Sequence, residues 1–437
     1  MAYSWLTWSQ AQSELSSRLS DTSQAFTVGA EVPLYLTMAM WIWNALTGFW
    51  VAEYPVSLTP PLTGNWQPAN GSGSPRVQTQ TDVSLYTLIE YMLLEPATGG
   101  TWTGTPQFNM QMLAQAVQGR RDEALQIGAS NMVETSLPIA ANASRVSLPD
   151  NALDVRRLRY VPVAGTAVTL ERGDAESFRT FSPAYLQSVL PPLRYDVVSG
   201  PPLTITLDSS VPVAGTLQTL IVQAKAVPSP PSATALGIPD DYAWVPLFGA
   251  LADLLSSQEE SLDLVRAKYC SERYSQGLEL LRKAPWLLEA RVNGVAVPIC
   301  AAIAADRFNV NWQTNPAAFP QLVTPGTDLY AVSPIPIANT DVVLAMIGNA
   351  PIPTSGTAQI QVPRDVMDAI LDEAEHLACF KRGGDAFLGT MALHQSFLDT
   401  GKRWDNRNRM EGIFATTLRS DTPREDKQQP RFTGGGQ

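Results

Sequence analysis

A sharp change of pattern at residues 237–255 divides the sequence into parts that cannot share one secondary structure. Short apolar or alternating runs bounded by Pro, Gly, Asn and Asp precede it, which is typical of strands. A Pro-Asp-Asp start at 239–241 then opens an apolar run, and a second helical run covers 259–283. The apolar residues at helical spacing in the first run are Trp244, Leu247, Leu251 and Leu254. A β-rich region followed by a helical pair is therefore predicted, with Pro246 starting or kinking the first helix.

Further changes of period predict an α+β fold, in which a helical bundle carries β-rich modules. Helical spacing dominates before position 133, where alternating and β-branched runs begin. A chain of 437 residues has room for two or three domains of roughly 150 residues each. The expected units are a mostly helical region at 1–132, a β-rich module at 133–237, a helical pair at 238–285, a second β-rich module at 286–362, a second helical pair at 363–412 and a disordered arm at 413–437.

Helices within the first unit are expected at 9–19, 32–46, 84–94 and 107–127. Ser9 is the candidate N-cap of the first helix, with Gln12 three residues later. The two β-then-helix units could be a duplication, because a shift of 124 residues superposes Pro239 on Pro363 and Asp241 on Asp365. Identities are few, so two unrelated segments remain the alternative.

The Pro-Asp-Asp start with its apolar Gly249–Ala250–Leu251–Ala252 face resembles the carboxy-terminal helical pair of head-to-tail adaptor proteins of tailed bacteriophages. The resemblance covers about residues 137–283, with a looser echo at the amino terminus, and the second unit departs from a small adaptor. It implies a structural virion protein of the neck, assembled in the host cytoplasm. Such a subunit would form a homo-oligomeric, dodecameric ring between the portal protein and tail or nozzle proteins, through which packaged DNA passes without specific binding. A tail, baseplate or nozzle protein built from the same modules is the alternative.

Residues 32–52 form the longest conspicuous apolar segment, 21 residues without a charge. Its length would permit a membrane crossing. Pro33, Asn44 and the absence of Lys or Arg between Arg18 and Arg76 argue against one. A core helix and a helix between subunits remain, and the aromatic residues favour contact with another subunit. The predicted interface residues here are Trp41, Trp43, Phe49 and Trp50.

The sequence offers little material for catalysis, and we expect neither an enzyme nor a cofactor. Nucleotide-binding and hydrolase motifs are missing, and the only histidines are His376 and His394. The best metal candidate is Glu373, His376 and Cys379 at a spacing of three, but di-metal bundles need matching carboxylates from other helices. We therefore predict structural roles for these side chains and no metal.

Other charged residues are expected to act at helix ends. Asp240, Asp241 and Asp365 stand where a carboxylate caps free amides and opposes the helix dipole. The Lys-Arg-Gly-Gly run at 381–384 could hold a phosphate, but a C-cap turn is the simpler interpretation after a helix.

The composition fits either a chain whose surface is covered by partners or a Pro-rich β protein with long loops, and it argues against a chain that grips nucleic acid. Charged residues make up 16%, against about 25% in an average protein. The net charge of −11 argues against phosphate binding, and a ring of such subunits would repel DNA from its channel wall. Three distant cysteines fit a reducing compartment, and the amino terminus shows no signal-peptide pattern.

Residues 419–437 are too polar to bury a core of their own. They are expected either to remain a free terminus or to order against a neighbouring subunit, with Arg431 and Phe432 as the anchor. Trp66 and Trp102 suggest a carbohydrate-binding tail protein as a further alternative. It is less favoured, because such a site would need paired carboxylates and residues 95–110 offer only Glu95.

Overall fold

A computed structural model of the chain describes residues 5–20, 31–60, 66–93, 108–181, 187–198, 200, 202–257, 262–283, 286–308, 312 and 320–405. The fold is α+β, as the sequence predicts. Helices from the beginning, middle and end of the chain share the largest hydrophobic core. The strands form three sheets within these ranges, and two smaller cores lie against them.

The long helices lie close to their expected positions, with ends that differ by a few residues, whereas two short helices, Ala175–Phe181 and Ala302–Phe308, lie in regions expected to be β-rich. The first helix starts earlier than expected: Thr7 is its N-cap and forms a capping box with Gln10, so Ser9 lies inside the helix. The helices are α1 (Trp8–Arg18), α2 (Glu31–Thr47), α3 (Asp82–Leu93), α4 (Met110–Gly128), α5 (Ala175–Phe181), α6 (Trp244–Ser256), α7 (Leu264–Lys283), α8 (Ala302–Phe308), α9 (Arg364–Phe380), α10 (Gly384–Gly389) and α11 (Met391–Trp404).

The strands are β1 (Val51–Leu58), β2 (Gln67–Pro68), β3 (Met132–Ile139), β4 (Arg145–Ser147), β5 (Ala152–Pro162), β6 (Val168–Arg172), β7 (Arg194–Val198), β8 (Thr204–Leu207), β9 (Gly215–Gln223), β10 (Leu287–Val292), β11 (Val295–Val297), β12 (Ile299–Ala301), β13 (Gln321–Thr324), β14 (Leu329–Ser333) and β15 (Thr340–Ile347). A seven-stranded sheet has the order β3-β9-β5-β6-β7-β8-β4. Two four-stranded sheets have the orders β1-β15-β10-β11 and β12-β13-β14-β2.

Close helix packing explains the small residues of the helical pair. Helix α6 packs between α4 and α7, and Pro246 falls in its first turn, where a missing amide hydrogen costs nothing. A β-carbon at Gly249 would lie 2.8 Å from the Arg120 side chain and 2.9 Å from that of Tyr274. A β-carbon at Gly277 would lie 2.5 Å from Val245. Glycine at these two positions therefore lets the three helices approach each other.

The seven-stranded sheet is built from one continuous stretch of chain, as predicted for the first β-rich module. Its long central strands β5 and β9 pair antiparallel along their full length. Strand β5 begins and strand β9 ends beside α4. Arg157, halfway along β5, bonds to Asp306 of α8, and the strand continues five residues beyond it, roughly 17 Å at about 3.3 Å per residue.

The second β-rich region is organised differently from the prediction. Strand β1, from the supposedly helical first unit, pairs with β15 over eight residues, and β2 pairs with β14. The boundaries at 132 and 286 therefore do not separate independent sheets. Because this region forms two mixed sheets with borrowed strands, its topology does not match that of the seven-stranded sheet and does not support a duplication.

None of the helices in the described ranges is both long enough and apolar enough to cross a membrane.

Candidate interaction surface

The Pro-Asp-Asp segment joins distant parts of the chain. Its first carboxylate, Asp240, accepts hydrogen bonds from the Thr79 amide at 2.7 Å, the Thr79 hydroxyl at 2.6 Å and the Gln80 amide at 3.0 Å. Neither Asp240 nor a neighbouring side chain caps the short 3-10 turn at Asp240–Tyr242. The predicted capping role of Asp240 is therefore wrong, because its oxygen atoms are taken by a loop 160 residues earlier in the sequence.

Asp241 also bonds outside its own helix, which corrects its predicted capping role. It accepts from Asn44 of helix α2 and from the Ala350 amide at 3.0 Å. Asn44 in turn donates to the Gly348 carbonyl at 2.7 Å and accepts from the Trp50 amide at 3.0 Å. Asn44, the one amide side chain of residues 32–52, thus ties α2 to Asp241 at the start of the helical pair, to Gly348 after β15 and to Trp50 before β1.

A buried guanidinium, that of Arg76, and a second buried carboxylate, that of Asp328, belong to the same group of contacts as Asp241. Burial raises the pKa of both Asp241 and Asp328 to about 7, and burial lowers the pKa of Arg76, whose charge acts on both carboxyls. Asp328 accepts from the Met132 amide at 3.0 Å, where the seven-stranded sheet begins. The Arg76 guanidinium lies 5.9 Å from the ring centre of Trp286. These groups hold the helices and sheets together and are closed to solvent.

The residues considered for a metal site form a second buried network. Glu373 of α9 accepts from Arg273 of α7 at 3.0 Å and from His394 of α11 at 2.7 Å. Burial alone would raise the pKa of Glu373, but His394 and Arg273 outweigh it and lower the pKa to about 2. The arrangement is an ion-pair network that links three helices of the bundle.

His376 belongs to the same network and is fully buried. Its Nδ1 lies 2.9 Å from the Thr390 hydroxyl, and its ring stacks on His394 with the ring centres 5.0 Å apart. Burial lowers the pKa of His376 to about 4. Cys379 is a buried free thiol on the same helix. The described part of the chain contains no group of three or more His, Cys, Asp or Glu side chains placed to hold a metal ion.

The remaining helix-end predictions have mixed outcomes. Asp365 lies in the first turn of α9, where a negative charge is favourable, and accepts from the Trp404 indole at 3.1 Å. Pro363 is the N-cap residue of that helix, and no side chain caps it. The 381–384 run follows α9 as a turn, but Lys381 is the C-cap residue of α9 in a right-handed conformation, and Gly383, with φ of +62°, is the N-cap residue of α10.

The predicted interface residues of the uncharged segment fall into two groups. Trp41 and Trp43 are buried within the subunit, and Trp43 packs against Phe397 of α11 with the ring centres 5.7 Å apart. Their prediction as subunit contacts is corrected, because helices α9 and α11 of the same chain pack on α2. Phe49 and Trp50 keep partial exposure at the end of α2. Arg431 and Phe432 lie outside the described residues.

Trp66 is unavailable to a carbohydrate. It is 7% exposed and packs edge-on against Trp312, with the ring centres 6.0 Å apart. The Arg157 guanidinium lies within 6 Å of both rings and forms two bonds of 2.7 and 2.6 Å to Asp306. This cluster anchors the seven-stranded sheet to the rest of the subunit. Trp102 and Glu95 lie outside the described residues.

An exposed apolar surface follows the connection between β8 and β9 of the seven-stranded sheet, and we call it the apolar rim. It consists of Val163, Val189, Leu190, Leu193 and Val213. Val163 and Val213 lie at the far end of β5, whereas Leu193 lies beside Glu171 of β6, level with the middle of β5. Val163 is 82% and Leu193 64% exposed. The bent connection 208–214 joins them, because it accepts hydrogen bonds from the amides of Val163, Leu190 and Leu193.

Exposed aliphatic side chains grouped on one surface are characteristic of a contact with another macromolecule. Sequence reasoning missed this surface, although the run Val189–Leu190–Pro191–Pro192–Leu193 carries a signal: five apolar residues that contain two prolines cannot form a central strand.

Comparison with protein-family models gives no match to this chain, and a search of curated proteins gives no significant relative.

Proposed function

We propose that this protein is a structural subunit of the neck of a tailed phage, a head-to-tail adaptor that joins the portal to the tail as an oligomeric ring. The apolar rim carries this proposal. It is exposed in the single chain, two of its residues, Val163 and Val213, lie at the end of β5 beyond the Arg157–Asp306 contact, and it has the aliphatic character of a protein contact. The resemblance of the helical pair to adaptor proteins supplies the place of the subunit in the virion.

The occupant of the rim is a neighbouring copy of the chain. In a closed ring each subunit presents one surface to the preceding subunit and a different surface to the next one. A sheet that projects from a bundle is suited to such a contact, because it reaches past its own subunit. The two anchors of the projection, Arg157–Asp306 and Met132–Asp328, fix its direction.

The other parts of the molecule support a structural rather than a catalytic role. Its two histidines and Glu373 are buried in a hydrogen-bonded network between helices, and the Asp241 carboxyl is used to join segments. The net charge of −11 per subunit suits a ring that lets DNA pass without binding it. A tail, baseplate or nozzle protein with the same contact is the second candidate, and binding to purified portal rings separates the two.

Charge substitution on the rim tests the proposal. Val163→Asp and Leu193→Asp should abolish ring formation and leave the free energy of unfolding within about 0.5 kcal/mol of the parent, because both side chains are exposed. Ile337→Asp is the matched control: Ile337 is 97% exposed in the loop between β14 and β15, away from the rim. Native mass spectrometry reports the assembly. Rings that form equally well in all three variants would refute the proposed contact.

A further inference from the structure

A cleft of 420 Å³ opens at the end of helix α2, on a different part of the subunit from the apolar rim. Met40 and Trp50 line it together with the segments 351–354 and 358–361. Met40 is fully buried by the surrounding protein, whereas Trp50 is partly buried. The lining therefore offers an indole, proline rings and aliphatic side chains to a ligand.

The outer wall of the cleft is held in place. The Trp8 amide donates to the Ala358 carbonyl at 2.8 Å, and the Ile360 amide donates to the Leu6 carbonyl at 2.9 Å. The inner wall is fixed by the bond from the Trp50 amide to Asn44. A cleft with both walls tied by backbone hydrogen bonds is preformed, so a ligand that enters it does not have to order it.

The described chain ends beside this cleft. Trp404, the last residue of α11, lies with its ring centre 5.8 Å from that of Phe49, and Phe49 lies 5.2 Å from Trp50. Asp405 follows directly, and 32 further residues extend beyond it. Five extended residues span up to about 17 Å, so position 410 can reach the cleft from Asp405.

The sequence beyond Asp405 has the character that the cleft requires. Met410, Ile413, Phe414 and Leu418 are spaced so that they share one side of a helix. Residues 410–418 carry a single charge, at Glu411, and the residues that line the cleft carry none. The apolar character of the segment is therefore what matches the cleft.

We infer that residues 410–418 bind in this cleft of their own subunit, with Phe414 against Trp50 and the proline-rich wall. A tether of a few residues gives the segment an effective concentration in the millimolar range or above, which favours it over the same segment of another copy. The contact covers the part of the Trp50 side chain that the rest of the subunit leaves exposed.

Cross-linking in the full-length protein tests the location. Cys300→Ser is introduced first, since Cys300 is the half-buried thiol, whereas Cys270 and Cys379 are buried. Thr354→Cys combined with Ala415→Cys should give an intrachain product with a short bis-maleimide. The control pair, Ile337→Cys with Ala415→Cys, should give none, because Ile337 lies beyond the opposite end of β15. Cross-linked dimers from the first pair would overturn the inference in favour of a neighbouring copy.

Hydrogen exchange gives an independent readout. Phe414→Asp should speed exchange of the amides in segments 351–354 and 358–361 by about tenfold or more, because the cleft loses its cover. Phe432→Asp, the control on the same tail, should leave those amides unchanged. No intrachain product together with unchanged exchange in Phe414→Asp would show that the cleft is not occupied by this segment. Neither measurement depends on ring assembly or on a role in a virion.

Discussion

Replacing Trp43 with alanine should destabilise the isolated subunit by about 3 to 5 kcal/mol. The side chain is 0% exposed and packs against Phe397 of α11. Burying a tryptophan removes about 150–250 Å² from water, which at about 25 cal/mol per Å² contributes about 4–6 kcal/mol. The ring contact adds about 1 kcal/mol. The indole N–H has no hydrogen-bond partner among the described residues, which offsets about 1–3 kcal/mol.

Urea unfolding followed by circular dichroism measures this cost, and light scattering on the same samples reports assembly. Trp43→Phe is the control, because it keeps an aromatic ring and removes the unpaired N–H. Its cost should stay below about 1.5 kcal/mol. If Trp43→Ala folds with unchanged stability and only fails to assemble, Trp43 is a subunit contact and the core described for α2 is wrong.

Three further predictions concern the buried charges. The stability difference between wild type and Asp241→Asn should change by about 1 kcal/mol between pH 6.5 and 8, with wild type losing stability as pH rises. The pKa of Asp241 is about 7 in the folded state, so near neutrality the folded protein holds a proton on this carboxyl and the unfolded chain does not. Glu373→Gln should cost about 3–5 kcal/mol by leaving Arg273 uncompensated, and Glu373→Leu with Arg273→Met should cost less. Arg157→Ala should weaken the attachment of the seven-stranded sheet by releasing Asp306, which limited proteolysis detects as faster cleavage beside that sheet.

Each of these has a contradicting result. A stability difference for Asp241→Asn that does not vary with pH would mean that the wild-type carboxyl is ionised throughout the range. If Glu373→Leu with Arg273→Met is as unstable as Glu373→Gln, the cost of losing the network does not come from the uncompensated charge of Arg273. Unchanged cleavage in Arg157→Ala would leave the sheet anchored by other contacts, of which Met132–Asp328 is the nearest candidate.

Local periodicity was sufficient to predict the long helices and the first β-rich module. The helix at 32–46 and the helical pair were readable because apolar spacing at 3.6 or 2 residues depends on neighbours in sequence. Strand β1 was not predicted: it lies in the unit expected to be helical, and its partner β15 lies almost 300 residues away. The same limit applies to Asp240 and Asp241: local pattern indicates caps, and only tertiary structure brings Thr79, Asn44 and Ala350 to them.

The candidate surface was harder to predict than the fold. A helix with aromatic residues on all sides must be buried, but the sequence does not say whether its own chain or another covers it, and for Trp43 the cover is Phe397. The apolar rim assembles from three stretches, at 163, 189–193 and 213, which the hydrogen bonds of the connection 208–214 bring together. Each stretch alone is an ordinary apolar turn, so the surface emerges only when the strands are paired.

Electron microscopy of the purified full-length protein tests the ring most directly. Particles should be closed rings in which each seven-stranded sheet contacts the adjacent subunit through the apolar rim, and Leu193→Asp should yield single subunits with the same fold. Monodisperse subunits of the parent protein at micromolar concentration, or rings whose contacts lie elsewhere and survive Leu193→Asp, would contradict the account.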